Sequence, residues 1–241
     1  MSRKIEPPGD LAESTGLPFV FINMAMSADG KITTTNRSVV SFGSKRDQQH
    51  LLELRATADA VMAGAGTLAI EPITLGPGGK KYREARLRNG LTEFNLRVVV
   101  SGSASISPEA EIFRHRFSPI LVLTKRNAPQ AKVRALRRVA DAVEAFGEDE
   151  IDFHAALRWL RREWNVKRLL CEGGGELNGA LFAADLVDEL HVTVCPIIFG
   201  GAQAPTIADG CGVESLAQAR MFEFVECRRV GKEMFLTARR K

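Results

Sequence analysis

Apolar residues in this chain come in short blocks separated by polar turns. The block Phe19-Val20-Phe21-Ile22-Asn23-Met24-Ala25-Met26 is almost continuous, which suits a strand buried on both faces. Ser27-Ala28-Asp29-Gly30 ends it with turn-forming residues. From Ser44 the spacing becomes helical. Leu51, Leu52, Leu54 and Ala58 form an apolar stripe, Ser44 is a suitable cap, and Asp47 follows three residues later. Asp59–Ala63 reads as the next strand, closed by Gly64-Ala65-Gly66-Thr67. Residues 71–92 are rich in Gly, Pro, Lys and Arg, lack periodicity, and read as a long loop. Leu96–Val100 and Ile120–Thr124 are further strands. Helices are predicted over 129–139 and 150–163, with a short strand at Ala142–Ala145 between them.

The stretch from Lys167 to Gly201 reads as strand, glycine turn, helix, short link and strand. Phe222–Val230 and Glu233–Ala238 alternate around Gly231-Lys232, the signal of an antiparallel hairpin. Alternating strands and helices imply an α/β fold with a mostly parallel central sheet flanked by helices and edged by that C-terminal hairpin. Residues 1–17 read as a flexible N-terminal arm, and 18–241 as one domain.

Composition narrows the function. With 45% hydrophobic and 26% charged residues, the 241-residue chain is an ordinary globular protein. The formal charge of +4 favours anionic small ligands without calling for nucleic acid, and a single tyrosine argues against a base-stacking platform. The cysteines, Cys171, Cys195, Cys211 and Cys227, form no CxxC pair or zinc spacing, and read as thiols of a reducing, cytoplasmic compartment. No apolar run approaches the roughly 20 residues of a membrane span.

Two glycine turns carry the candidate chemistry. Gly173-Gly174-Gly175 lies between a strand and a helix. Glycine there allows close approach of a ligand to the backbone, and the helix N-terminus offers free N–H groups to a phosphate. A tight turn packed for its own sake explains the same residues equally well. Gly64-Ala65-Gly66-Thr67 ends another strand at the same sheet edge, where parallel sheets bind ligands. Arg55, at a helix end, can serve simply to complement the helix dipole.

The segments NMAMSADGKI, LLELRATADAVMAGAGT and LLCEGGGELNGALFAADLVDEL, in this order, resemble the reductase family of riboflavin biosynthesis. The resemblance runs from about Phe19 to about Gly201. It implies a dihydrofolate reductase-like fold, NADPH as cofactor, a phosphorylated pyrimidine as substrate and a homodimer. By matching position it implies that Gly173, Gly174, Gly175, Glu176, Leu177, Asn178, Gly179 and Ala180 form the pyrophosphate segment. It places Met26, Ser41 and Thr67 at the cofactor. It places Asn23, Ser27, Ser38, Arg55 and Glu172 at the substrate, with Arg55 on the ribose phosphate. Many members read V-L-x-D-D-P after G-x-G-T; here Leu68-Ala69-Ile70-Glu71-Pro72 is one residue shorter, and Glu71 stands in for an aspartate that is a catalytic or cofactor contact, which places Glu71 at the reaction centre and the substrate. The family's next arginine has Lys80, Lys81, Arg83 and Arg86 as candidates.

The implied reaction delivers hydride from NADPH to the imine carbon of a ring-opened ribosylamino-pyrimidinone 5′-phosphate, with Glu71 or Glu172 assisting proton transfer. Ser101, Gly102 and Ser103 beside Thr124-Lys125-Arg126 suit the adenosine end of NADPH. The zinc motifs of a deaminase, H-x-E and P-C-x-x-C, do not occur, so neither a catalytic metal nor deamination is expected. The shortened loop keeps open a reductase of the same fold acting on a dihydropterin or another imine, or a non-catalytic nucleotide-binding relative.

Overall fold

The computed structural model describes residues 16–39, 41–70 and 72–241. Glu71, and the arm expected over residues 1–17 apart from Gly16 and Leu17, lie outside the described residues. The apolar block at the start is strand β1 (Phe19–Ser27), in the interior of a nine-stranded sheet. Helix α1 (Lys45–Arg55) leads to β2 (Ala60–Gly64), α2 (Ala65–Ile70), α3 (Lys80–Arg88) and β3 (Leu96–Val100). Then come α4 (Glu111–Arg114), β4 (Ile120–Thr124), α5 (Gln130–Leu136), β5 (Ala142–Ala145), α6 (Phe153–Trp164) and β6 (Arg168–Cys171). The chain closes with α7 (Gly175–Ala183), β7 (Glu189–Cys195), β8 (Phe222–Val230) and β9 (Glu233–Arg240).

The strand order is β5-β4-β3-β2-β6-β1-β7-β9-β8. All pairings from β5 to β7 are parallel, and the closing hairpin is antiparallel. Each sheet face buries its own core. On one face Phe21, Val61, Val99 and Leu170 pack beneath Leu54 of α1, Leu68 of α2 and Leu136 of α5. On the other, Ile22, Met62, Val98 and Leu169 pack beneath Leu157 and Leu160 of α6 and Leu181 of α7. Burial on both faces explains why these strands read as unbroken apolar runs. After β5 the chain crosses back through α6 to insert β6 between β2 and β1. That reversal of strand order opens a crevice at the carboxyl ends of the central strands, where α/β sheets bind ligands.

The reading of residues 71–92 as an uninterrupted loop needs correction, because α3 occupies Lys80–Arg88. Its sequence is too polar to show a core-facing stripe. One side chain fixes it instead: the buried Arg86 donates from Nη1 to Arg55 O at 2.7 Å and Ala58 O at 2.6 Å, and from Nε to Thr92 O at 2.9 Å. The second glycine turn is also not a free loop, since Ala65, Gly66 and Thr67 form the first turn of α2.

A buried titratable cluster joins α1 to β7 and β9. Arg239 Nε donates to Glu189 Oε2 at 2.7 Å, and His191 Nε2 lies 2.7 Å from Glu189 Oε1. The His50 ring packs edge-on against His191 and Phe235, with centroids 5.6 and 5.5 Å away. Burial, then the neighbouring His191 and Arg228, lowers the His50 pKa from 6.5 to about 4. In the unfolded chain His50 titrates near its ordinary value of about 6.5. Between these two values the unfolded chain therefore holds a proton that the folded chain lacks. The His50 contribution to stability is whole above pH 6.5 and declines as pH falls toward 4, by about 2–3 kcal/mol. Urea unfolding at pH 7.5 and pH 4.5 will show a smaller acid loss for His50→Gln than for the wild type. Equal losses would assign the sensitivity to other groups.

Candidate active site

The site is built where β2 and β6 end. Gly64 N donates to Gly173 O at 2.8 Å, and Glu172 N donates to Met62 O at 2.8 Å, so the two glycine turns are joined through their backbones. Gly173 has φ +79° and packs against Met24, whose sulfur lies 2.7 Å from where a Cβ would sit. A left-handed φ and a sulfur in that space both require glycine. The Gly173–Gly174 peptide is cis. Gly174 is the N-cap of α7 and supplies no side-chain acceptor to the first turn. The space a Cβ would take at Gly174 meets only Thr67 Oγ1, at 3.5 Å. An uncapped helix start, with a bare backbone before it and a hydroxyl opposite, is a seat for a phosphate group.

The rest of α7 serves other ends. Gly175 and Gly179 are filled from outside by the segment that follows β7. A Cβ at Gly175 would lie 2.2 Å from Asp209 Oδ2, and one at Gly179 1.7 Å from Asp209 O. Asp209 N donates to Gly175 O at 2.9 Å, and Asp209 Oδ1 accepts from Thr206 N at 3.0 Å. Asn178, fully buried, donates to Ile207 O at 2.8 Å and accepts from Cys171 Sγ at 3.4 Å. Burial pushes the Cys171 thiol up to about 12, so it stays a neutral donor. Leu177 faces the core, Ala180 is half-buried, and Glu176 is exposed with its carboxylate 3.9 Å from Arg37. Thus Gly173 and Gly174 shape the open corner, while Gly175, Asn178 and Gly179 clamp residues 204–210 onto the helix.

Arg55 and Glu172 meet beneath α1. Arg55 Nε and Nη2 donate to the two Glu172 oxygens at 2.6 Å each, and Nη1 donates to Gly76 O at 2.6 Å. Both side chains are about nine-tenths buried, exposed 10% and 9%. This places the resemblance-based roles differently. The Arg55 fork is spent on Glu172, so holding a phosphate would require that pair to open. Both Glu172 oxygens act as acceptors, which does not suit proton donation. Arg55 is the group that fixes the Glu172 carboxylate.

The remaining expected residues divide in two. Asn23 is buried on β1, Met26 is half-buried near the end of β1, and Thr67, half-buried in the first turn of α2, faces Gly174. Ser27 is fully buried and occupied within its own turn, donating to Asp29 Oδ1 at 2.6 Å and accepting from Lys31 N at 2.9 Å. Ser38 and Ser41 are exposed; Ser38 donates to Asn36 Oδ1 at 2.8 Å, and Ser41 accepts from Gln48 Nε2 at 3.3 Å. Ser101 turns inward and accepts from Ser105 N and Ile106 N, so it shapes its loop, whereas Ser103 is exposed. Of the candidate basic residues after Pro72, Arg86 is structural, Arg83 pairs with Glu93, and Lys80 and Lys81 are exposed. Thr124 and Lys125 do meet the loop of Ser101: Thr124 Oγ1 and Lys125 N both donate to Gly102 O.

Sequence reasoning missed several residues that shape the site. Met24, Asp209 and Gly76 have no local signature, because each acts on a partner distant in sequence. An open groove of about 620 Å³ between α2 and the loop after β3 is lined by Gly66, Ser105, Ser107 and Arg114.

The RibD C-terminal domain family matches residues 18–236. A 2,5-diamino-6-ribosylamino-4(3H)-pyrimidinone 5′-phosphate reductase of Archaeoglobus fulgidus is 36% identical over 92% of this chain and 98% of its own length. A protein of the same name from Methanothermobacter thermautotrophicus is 32% identical over 91% and 96%. A pyrimidine reductase-like protein of Corynebacterium diphtheriae superposes with a TM-score of 0.75 at 20% identity, over 93% of this chain and 92% of that one. Acinetobacter baumannii RibD superposes at 0.74 and 20% identity over 95% of this chain, which spans 60% of that longer protein. These structures establish the fold, and the sequence match over nearly the whole chain establishes the family: this chain belongs to the RibD C-terminal domain family.

Proposed function

We propose that this protein is an NADPH-dependent reductase that converts a ribosylamino-pyrimidinone 5′-phosphate to its ribitylamino form, a step of riboflavin synthesis. One observation carries the reading. The uncapped start of α7 opens onto bare backbone at Gly173 and Gly174, directly opposite Thr67 and beside the Arg55–Glu172 pair. A dinucleotide phosphate and a polar substrate would therefore lie side by side at the switch point of the sheet. The names of the archaeal relatives agree with that substrate class.

The residues present fit the cofactor. The α7 N-terminus and the Gly173-Gly174 backbone would hold the pyrophosphate, and Thr67 would approach from α2. The groove lined by Ser105, Ser107 and Arg114 would receive the adenosine end, and the Arg114 guanidinium there favours a phosphorylated ribose. NADPH supplies hydride when bound. The protein's task is to bring the substrate carbon within about 3–3.5 Å of the donor and to exclude water. Glu172, locked by Arg55, presents a fixed carboxylate to the substrate. Glu71 keeps its proposed place as the group that assists proton transfer. A homodimer is also part of this reading: edge strand β8 exposes Phe224 and Val225, at 69% and 52%, next to Met221 at 57%.

Gly174→Asp puts bulk and negative charge where the pyrophosphate would rest. It is expected to weaken NADPH binding by 100-fold or more, on the order of 3 kcal/mol, as titrated by nucleotide fluorescence. Unchanged affinity would place the cofactor elsewhere. Turnover of the ribosylamino-pyrimidinone phosphate, followed by NADPH absorbance, tests the substrate class. Turnover of dihydrofolate alone would replace it.

Arg55→Ala leaves Glu172 buried without its partner, at a cost of about 3–5 kcal/mol. The substrate KM is expected to rise more than the NADPH KM. Arg55→Lys keeps the charge but loses the fork, and should recover stability better than KM. A variant with normal substrate KM would confine the pair to a structural role.

A further inference from the structure

Helix α1 is held to the sheet mainly through its two ends. Of its eleven residues only His50, Leu54 and Arg55 are buried. The first five, Lys45-Arg46-Asp47-Gln48-Gln49, include no apolar side chain, so apolar burial does not fix that half of the helix. A polar contact does so instead. The cap Ser44 donates its backbone N–H to Glu233 Oε1 at 2.7 Å and its hydroxyl to Glu233 Oε2 at 2.6 Å. The same hydroxyl oxygen accepts from Arg46 N at 3.1 Å and from Asp47 N at 3.3 Å. By taking the hydroxyl proton, Glu233 turns the oxygen lone pairs toward the first turn of the helix.

Glu233 is itself fixed. It is the first residue of β9, it is buried, and its Oε1 also accepts from Cys195 Sγ of β7 at 3.6 Å. Three donors converge on this one carboxylate, which suits its ionised form and strengthens each bond. Glu233 and Phe235 are two residues apart and so share a sheet face. Helix α1 meets both, Ser44 on Glu233 and His50 on Phe235.

The far end of α1 lies at the candidate active site, where the Arg55 fork holds both oxygens of Glu172. From β9 to β6 the sheet counts three strand spacings, about 14 Å at about 4.8 Å each. An 11-residue helix is about 16 Å long. The helix thus reaches from the C-terminal hairpin to the glycine corner, with one buried carboxylate at each end. A rod held at one end alone can pivot. A two-bond fork tolerates little pivot, because both guanidinium donors must stay aligned with the carboxylate oxygens.

We propose that Glu233 is a positioning residue for the active site: through Ser44 it sets where α1 lies on the sheet, and so where Arg55 holds the Glu172 carboxylate. Its bearing on the substrate rests on the reductase reading above; its bearing on Arg55 does not. Glu233 touches neither the glycine corner nor the groove beside α2, so the effect falls on the substrate side and leaves the cofactor side alone.

The test compares the wild type with Glu233→Ala, Glu233→Gln and Leu160→Ala. Leu160 lies in the core on the opposite sheet face, and its truncation lowers stability without touching α1. Three quantities are read: the Arg55 Nε–H resonance by NMR, the KM for the ribosylamino-pyrimidinone phosphate, and NADPH affinity by fluorescence. Glu233→Ala should move the Arg55 resonance and raise the substrate KM about 10-fold, with NADPH affinity within about twofold of the wild type. Glu233→Gln, which keeps one acceptor oxygen, should fall between the two. Leu160→Ala should leave the resonance and the KM unchanged. A folded Glu233→Ala protein with the wild-type resonance and KM would overturn the proposal, and so would a Leu160→Ala protein with an equal rise in KM. Should Glu233→Ala not fold, Glu233→Gln decides by the same readings. A wild type that binds NADPH without reducing this substrate would remove the substrate reading. The Arg55 resonance would still decide the positioning role, supporting it if moved in the Glu233 variants and overturning it if not.

Discussion

The Gly64 N–H donates to the Gly173 carbonyl, and this one backbone bond fixes the relation between two strand ends on which the site depends. The strands β2 and β6 are separated by more than a hundred residues of chain, and they become neighbours only because α6 carries the chain back across the sheet. Their C-terminal turns then lie in contact, with Thr67 on one side and the start of α7 on the other. Side chains at Gly173 or Gly174 would fill this space. Met24 already takes the room at Gly173, and the room at Gly174 stays open toward Thr67. The helix N-terminus is left without a side-chain cap, which in a protein interior is costly unless a ligand or water completes it.

Around that corner the protein spends its buried charge on fixing geometry. Arg55 and Glu172 neutralise each other and hang α1 and residues 74–76 on the end of β6. Arg86 holds α3 to the same junction through backbone carbonyls. Asp209 and Asn178 pin the segment after β7 onto α7. A buried ion pair is weak evidence of net stability, but removing one partner is expensive. The pairs therefore act as locks that keep a small set of side chains pointing at one crevice.

Much of the fold was legible because its driving force is local. Strands buried on both faces read as apolar runs, and the hairpin announces itself around Gly231-Lys232. The position of the glycine corner was legible too, since Gly173-Gly174-Gly175 marks a strand-to-helix turn, although those residues alone fit a packed turn as well as a ligand seat. Other parts were hidden. Helix α3 has no apolar stripe, because it is held by one arginine rather than by a hydrophobic face. The Arg55–Glu172 bond joins residues 117 positions apart, and the sequence shows only an arginine at a helix end. The Gly175 and Gly179 positions looked like ligand contacts and are filled by Asp209, which no pattern near residue 209 would suggest. Serines proved hard to place for a related reason: Ser27 and Ser101 have the right type and position but satisfy their own turns.

The central claim is that a dinucleotide phosphate rests on the start of α7, facing Thr67. Backbone amide NMR on the isotope-labelled protein, before and after addition of NADPH, addresses it directly. The account predicts that the largest amide shifts fall on Gly174 to Leu177, with a second set at Gly64 to Thr67. Shifts that leave both glycine turns unmoved, while saturable NADPH binding is seen, would contradict it.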